Sequence, residues 1–289
     1  MMVMSTLPEA KKLFARAWAT SGSAVFPTKS LQETEQENRS FLSHVQCKDA
    51  TCLREYDAVT LVKSVEDTWM KPHPDLPSKS ENPRNRHEWL TVDGEILREN
   101  PSEVWSRPEG LPVKLVIGTT AHAASTQKLL DKYTKWTEEL VTSHIRHSIV
   151  GEKKIMNDAL EMYNKSYKGL TAMISDIRVV CPLLYASKEA HNVSFYIVNQ
   201  TRGEQDLADV DSDVDAILGR YEPKTPEQRR YISAIQQLFY YFIWNDKLQQ
   251  ADDSMNRMVI VGQDALPSAN YSHCDFWLKH NMTQFGHVN

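Results

Sequence analysis

The chain has 289 residues, of which 41% are hydrophobic and 25% charged, and its formal net charge is −5 with no block of Lys or Arg. It is long enough for a large core, as one big domain or two small ones, and its charge argues against nucleic acid or an anionic membrane surface as a partner. No apolar run approaches the length of a membrane span, and the first residues have too short an apolar stretch for a signal peptide.

The N-terminal third of the chain predicts short helices around one strand. Residues 63–86 hold four prolines among polar residues, which indicates an irregular excursion and not a linker between domains. The other elements expected here are an amphipathic helix over 8–17, a buried strand over 17–23, a helix over 28–45 and an Asp-Gly turn at 93–94.

A β-branched apolar run from Val113 to Ile117 leads into Gly118 and then into a loop of small residues that reaches Ser125. This pattern predicts a buried strand whose carboxyl end opens onto a crevice. In open α/β sheets, ligands and catalytic groups lie at that end of the strands. The loop after this strand is therefore the candidate functional site.

The second half of the chain alternates long helical stretches with short apolar strands. Such alternation predicts an α/β fold with a largely parallel sheet, and we expect residues 1–289 to form a single domain. The expected elements are helices over 136–147, 152–163 and 170–191, a strand over 193–198, a helix that begins near Pro226, an edge strand over 257–261 and a helix around 276–278.

Two features indicate an extracellular protein. Several Asn-x-Ser/Thr sequons in one chain favour a glycosylated surface. The four cysteines are an even number that allows three disulfide pairings, and four buried thiols in a cytosolic protein are the alternative. The sequons are at Asn38, Asn164, Asn192, Asn199, Asn270 and Asn281, whereas Asn100 is excluded by Pro101.

Several segments resemble the cholinesterase-like (type-B) carboxylesterase family, in order and spacing, over nearly the whole chain. Leu13-Phe14-Ala15-Arg16-Ala17 running into Thr20-Ser21-Gly22-Ser23 resembles the helix and strand just after the family's nucleophile elbow. Further segments similar to the family are 41–47 with 52–54, Val92-Asp93-Gly94-Glu95-Ile96, Val180-Cys181-Pro182 and Cys274-Asp275-Phe276-Trp277. Three runs, 175–184, 216–223 and 236–241, resemble members of the family that act in cell adhesion.

The resemblance implies the C-terminal half of an α/β-hydrolase fold, with disulfides Cys47–Cys52 and Cys181–Cys274. It also implies that the first half of the domain, a membrane anchor and a cytoplasmic segment lie upstream of Met1. These 289 residues alone would then expose an unpaired sheet edge, so we expect them to aggregate or to fold poorly when expressed by themselves.

An esterase of this family needs a serine on a Gly-x-Ser-x-Gly elbow, a histidine that takes its proton and an acid that orients the histidine. No such elbow occurs in this sequence, and by the resemblance it would fall before Met1. By the same resemblance, Ala123 stands at the position of the acid and the histidine would lie between residues 200 and 219, where there is none. An alanine cannot accept the imidazole proton, so the resemblance implies a vacated catalytic site.

The resemblance therefore implies a catalytically inactive cholinesterase-like ectodomain on the extracellular face of the plasma membrane. It would act in heterophilic cell adhesion and axon guidance by binding a secreted immunoglobulin-type, amalgam-like partner. No cofactor, metal or nucleic acid is implied, and membrane contact would come only through an anchor outside this chain. The alternative is an active carboxylesterase for a small carboxylic ester with non-standard acid and base residues. A third hypothesis is a module that binds such an ester without cleaving it.

Three groups of polar residues have ordinary explanations. His144 and His147 lie three residues apart on a predicted helix, a spacing compatible with metal, but no third ligand is evident. His122 lies at the mouth of the crevice, where it could contact a ligand, but a surface polar residue is expected. The acidic run 206–215 lacks the glycine and final glutamate of a calcium loop, so a solvated helix start is expected.

Two further patterns favour a structural role. Ser21 and Ser23 lack an elbow around them and are expected to be turn serines. The aromatic run 239–242 follows an apolar helical stripe over half its length, so core packing is favoured over contact with a partner.

Overall fold

The structure, a computed structural model, describes residues 1–22, 25–65, 69, 75–83, 87–132, 135–191, 193–248, 258–269 and 271–286. Its centre is a five-stranded sheet in the order β1-β2-β3-β4-β5, in which the first four strands are parallel and β5 is antiparallel to β4. The strands are β1 (Arg16–Thr20), β2 (Lys114–Thr120), β3 (Val193–Val198), β4 (Met258–Val261) and β5 (Ala265–Ser268).

The helices of the described residues connect the strands and cover both faces of the sheet. They are α1 (Met2–Ser5), α2 (Ala10–Leu13), α3 (Leu31–Glu37), α4 (Arg39–His44), α5 (Ala50–Glu55), α6 (Ala58–Lys63), α7 (Pro101–Trp105), α8 (Gln127–Leu130), α9 (Glu138–Arg146), α10 (Ile149–Glu152), α11 (Met156–Tyr163), α12 (Tyr167–Ser175), α13 (Cys181–Glu189), α14 (Ser212–Ile217), α15 (Pro226–Asn245) and α16 (Ser272–Lys279). A π-helical turn spans Asp176–Val180 and a 3-10 turn spans Thr283–Phe285.

The alternation of side chains along the strands divides the core between the two faces. Leu115 and Ile117 of β2 pack into the larger cluster, which includes α12, α13 and α16. Val116 points to the opposite face, where α15 contributes apolar side chains to a second cluster. The α/β architecture with a mainly parallel sheet is therefore as the sequence predicts.

One helix is continuous from Tyr167 to Glu189 through α12, the π-helical turn and α13. Contrary to the expectation from the sequence, it is by length (23 residues) and composition apolar enough to cross a membrane, but 89% of its most apolar window is buried inside the protein. Burial of that kind is typical of the central helix of a folded core. Asp176 and Arg178, both buried, lie in the middle of it.

Three predicted elements need correction. The strand at Met258–Val261 is not at the edge, because β5 pairs with its outer side, and Pro267 in β5 suits an edge strand because it has no N–H to donate. The helix expected over 28–45 is two helices that meet at Asn38, whose backbone leaves the helical region. The helix expected over 8–17 covers only Ala10–Leu13, since β1 already begins at Arg16. Arg257, the first residue of the predicted edge strand, lies outside the described residues.

Two disulfides join the same cysteines that the resemblance implies. Cys47 bonds Cys52 of α5, and Cys181 at the start of α13 bonds Cys274 of α16, across a sequence separation of 93. Both cysteines of the second bond are fully buried. This bond fixes the C-terminal helix to the central helix of the core.

The sequons differ in exposure. Asn164, Asn199 and Asn281 are exposed, whereas Asn38 is half-buried and its Oδ1 has no hydrogen-bond partner. Asn192 and Asn270 lie outside the described residues. Exposure leaves room for a glycan at the first three positions, and glycosylation at all six sequons remains a prediction.

Candidate site at the carboxyl ends of the strands

The loop 121–125 leaves the carboxyl end of β2 and is held by neighbouring backbone. The N–H of Ala121 donates to the carbonyl of Val198 at the end of β3, 2.8 Å away. His122 pairs with the loop that follows β3: its N–H donates to the carbonyl of Ala208, and the N–H of Ala208 donates to His122 Nδ1, both at 3.0 Å. The two loops that the resemblance assigns to the acid and the histidine therefore lie side by side.

His122 is 6% exposed, so the expectation of a surface residue is wrong. Burial, together with the charge of Lys168, lowers the pKa of its imidazole to about 4, against a weaker opposing effect from Asp206. The imidazole is thus neutral at physiological pH. Because Nδ1 accepts a hydrogen bond, the proton lies on Nε2. The His122 side chain therefore joins the loop after β2 to the loop after β3 through a hydrogen bond.

The position that the resemblance assigns to the acid, Ala123, carries no group that can accept a proton. Ala123 is half-buried against the larger core cluster, and its neighbour Ala124 is fully buried with its N–H donating to Ser175 Oγ at 3.0 Å. Among the residues that the structure describes, no carboxylate hydrogen-bonds His122. The methyl group of Ala123 cannot orient an imidazole.

The acidic run 206–215 is more structured than the expected solvated helix start. Asp213 is completely buried and accepts a hydrogen bond from the hydroxyl of Tyr196 at 2.6 Å; burial raises the pKa of Asp213. Asp209 and Asp215 both pair with Arg202, at 2.7 and 3.0 Å. The predicted helix start is therefore present, with Asp213 and Asp215 in the first turn of α14, but it is not solvated at Asp213, which is fully buried.

Ion pairs also hold the remainder of that loop. Asp206 accepts from Lys168 Nζ at 2.5 Å and from the hydroxyl of Thr201, and these hydrogen bonds lower the pKa of Asp206. Lys168 belongs to α12, so the bond ties the loop to the central helix. Ion pairs therefore hold the loop to which the resemblance assigns the histidine.

Two aspartate–histidine pairs occur elsewhere in the described chain. His144 of α9 lies with Nε2 2.7 Å from Asp75 Oδ1, and His147 directs Nδ1 to the carbonyl of Ser143. The two imidazoles expected on one helix therefore have different partners. His273 of α16 lies with Nδ1 3.1 Å from Asp176 Oδ2.

The second pair belongs to a buried network that the sequence did not predict. The Tyr163 hydroxyl donates to Asp176 Oδ2 at 2.5 Å and accepts from Trp277 Nε1 at 2.7 Å. Burial raises the pKa of Asp176, against the opposing hydrogen bonds from His273 and Tyr163. Asp176 inside a long apolar stretch of sequence could have indicated such a buried polar network. This network joins α11, the central helix and α16, beside the Cys181–Cys274 disulfide.

Of the two serine candidates, the structure describes Ser21. Ser21 lies just after β1 with a positive φ of 53°, as expected of a turn serine, and its N–H donates to the carbonyl of Gly118. Ser23 lies outside the described residues.

Several known proteins are similar to this chain. Neurotactin of Drosophila melanogaster is 43% identical over 277 residues, which are 94% of this chain and 32% of Neurotactin. Solved structures of PNB esterase and of a Geobacillus stearothermophilus carboxylesterase superpose with TM-scores of 0.63 and 0.64, each at 16% identity. The match covers 98% and 95% of this chain, respectively, and 60% of each esterase.

These likenesses bear on fold and family. The chain spans about a third of the curated relative and 60% of the solved structures that it matches. At 16% identity the solved structures show the fold alone, and they confirm the predicted α/β-hydrolase architecture. The model of the Carboxylesterase family matches residues 1–261, and the chain therefore belongs to the carboxylesterase family.

Proposed function

We propose that this chain is part of a catalytically inactive esterase-like ectodomain that acts in heterophilic cell adhesion and axon guidance. It would lie on the extracellular face of the plasma membrane and bind a secreted immunoglobulin-type protein. The 43% identity to Neurotactin supports an adhesion-type role for the surface that the two proteins share.

The observation that carries the inactive half of the proposal is the pairing of the two loops at the carboxyl ends of β2 and β3. Where an esterase would place a carboxylate and an imidazole, the structure has Ala123 beside a loop without histidine, 200–219. Loss of the orienting acid alone typically lowers the rate about 10⁴-fold, and without the proton acceptor no triad remains.

Two features support an extracellular setting. The two disulfides pair all four cysteines, and such bonds persist in oxidising compartments. Exposed sequon asparagines leave space for glycans. A rigid, disulfide-linked scaffold with no chemistry to perform suits the recognition of another protein.

Incubation of the full-length ectodomain with a short-chain aryl ester tests the inactive half. We expect no turnover above that of buffer, and no gain with Ala123→Glu, because the acid has no histidine to orient. Turnover that an organophosphate blocks would refute the proposal and favour the active carboxylesterase. Cells that display the protein, mixed with a purified secreted immunoglobulin-type protein, test the adhesive half: we expect aggregation that depends on that protein.

A further inference from the structure

The pair of hydrogen bonds between His122 and Ala208 depends on the protonation state of the imidazole. The N–H of His122 donates to the carbonyl of Ala208, and the N–H of Ala208 donates to His122 Nδ1, both at 3.0 Å. Both residues are buried, so water does not replace a bond that is lost. A protonated imidazole is a donor at both ring nitrogens and cannot accept the second bond.

Two charged side chains face the imidazole from the elements packed against it, Lys168 of α12 and Asp206 of the loop after β3. Burial and the charge of Lys168 both oppose a proton on the ring, and Asp206 favours it more weakly, so the pKa of the buried imidazole is about 4. Asp209, whose backbone forms a parallel bridge with His122, directs its carboxylate to Arg202. A proton on Nδ1 would set two donors against each other in a buried place, which is costly. The charged imidazole and the paired loops are therefore incompatible.

The turn over residues 202–208 is closed on itself by its own backbone. The N–H of Arg202 donates to the carbonyl of Leu207 at 2.8 Å, and the N–H of Leu207 donates to the carbonyl of Arg202 at 3.3 Å. A salt bridge also links the turn to α12, between Lys168 and Asp206. Its side chains are 42% and 67% exposed, so it contributes little. The turn can therefore separate from the loop after β2 without losing its own hydrogen bonds.

The loop after β2 is fixed to the core independently of His122. The N–H of Ala121 donates to the carbonyl of Val198 in β3 at 2.8 Å, and the N–H of Ala124 donates to Ser175 Oγ in the central helix at 3.0 Å. A change that breaks the His122 pair would therefore displace the 202–208 turn and leave the loop after β2 in place.

We propose that His122 is an acid-operated latch, in which a proton on its imidazole releases the 202–208 turn from the loop after β2 while the sheet and the helices stay folded. The closed turn remains the major form at pH 5. This inference does not depend on the adhesive function.

The size of the effect follows from the two states of the imidazole. With the turn open, the ring is in water and has the ordinary histidine pKa of 6.5, against about 4 in the closed turn. These values make the ratio of open to closed turn about 30-fold higher at pH 5 than at pH 7.5.

Hydrogen exchange of the full-length ectodomain at pH 7.5 and pH 5, corrected for the intrinsic effect of pH on exchange and followed by mass spectrometry, tests the latch. Peptides that contain Ala208 should lose about 30-fold in protection at pH 5. In His122→Asn the protection should not change with pH, because the asparagine Oδ1 accepts the same bond and does not titrate. The matched control is His144→Asn, which should keep the loss, since His144 pairs with Asp75 on another part of the chain.

Lys168→Gln is a second variant, at a partly exposed side chain. Without the ammonium group the closed imidazole takes up a proton more readily, so the loss of protection at pH 5 should be smaller than in the wild type.

Three results would overturn the latch. One is wild-type protection at Ala208 that is equal at the two pH values. Another is a loss that persists in His122→Asn, because a different group would then be responsible. The third is an equal loss in peptides from β2 and β3, because the whole fold would then be opening.

Discussion

The buried imidazole of His122 predicts a specific loss of stability in acid. In an unfolded chain its pKa is 6.5, and in the fold it is about 4. Between these values the unfolded state binds one more proton than the native state, so the free energy of unfolding falls as the pH falls. The difference in pKa corresponds to a loss of about 3 kcal/mol in the free energy of unfolding. This loss is absent above pH 6.5 and complete below pH 4.

The variant His122→Asn isolates this effect. An asparagine Oδ1 can accept the hydrogen bond from the N–H of Ala208, as Nδ1 does at 3.0 Å, but it does not titrate. The variant also loses packing contacts of the imidazole, which lowers its free energy of unfolding by the same amount at every pH. All other titrating groups are common to the two proteins and cancel in the comparison.

Urea unfolding of the full-length ectodomain, as the wild type and as His122→Asn, is followed by tryptophan fluorescence from pH 7.5 to pH 4.5 and measures the difference in their free energies of unfolding. The wild type is expected to lose most of about 3 kcal/mol relative to His122→Asn over this range. A difference that stays constant with pH would refute the reasoning, because it would mean that the imidazole can take up a proton in the folded protein.

Three further changes have expected effects on the free energy of unfolding in the same urea assay. Replacing Cys181 and Cys274 by alanine should destabilise the protein by about 4–5 kcal/mol, since the bond closes a sequence separation of 93; an unchanged midpoint would contradict this. Gly118→Ala would put a Cβ 1.8 Å from the ring of buried Tyr196, so a loss of about 3 kcal/mol is expected, and a stability equal to wild type would show that the ring can move. Arg178→Met should lower the free energy of unfolding by about 3 kcal/mol, because Arg178 is 8% exposed and binds both carboxylate oxygens of Glu81 at 2.5 and 2.8 Å. Arg178→Lys should recover part of this loss, and equal losses in the two variants would exclude a role for the charge.

The secondary structure that follows from local pattern was predictable. The strand at Val193–Val198 and the helix at Pro226–Asn245 combine strong apolar periodicity with end signals, such as Thr225, whose side chain accepts from the N–H of Gln228, and Pro226 in the first turn. Short elements with weak patterns were predictable only in part. β5 has just four residues, and its pairing with β4 depends on a neighbour that the local sequence does not reveal.

The candidate site was predictable where it depends on residue type. The alanine at position 123 and the lack of histidine between 200 and 219 can be read directly from the sequence, whereas their assignment to the acid and the histidine rests on the resemblance. The environment of polar residues was not predictable in the same way. His122 and Asp213 have sequences around them that suit exposure, yet both are buried.

Residue identity and short-range spacing were enough to predict the alternation of strands and helices and the family. Which charges are buried and which aromatic residues face solvent could be seen only in the folded chain. Burial depends on what packs from a distant part of the chain. The hydroxyl of Tyr196 donates to buried Asp213, and the N–H of Ala208 donates to buried His122. Trp244, by contrast, is 79% exposed. The physical reason is that a side chain's solvation, and hence its charge and its binding role, is set by neighbours in space.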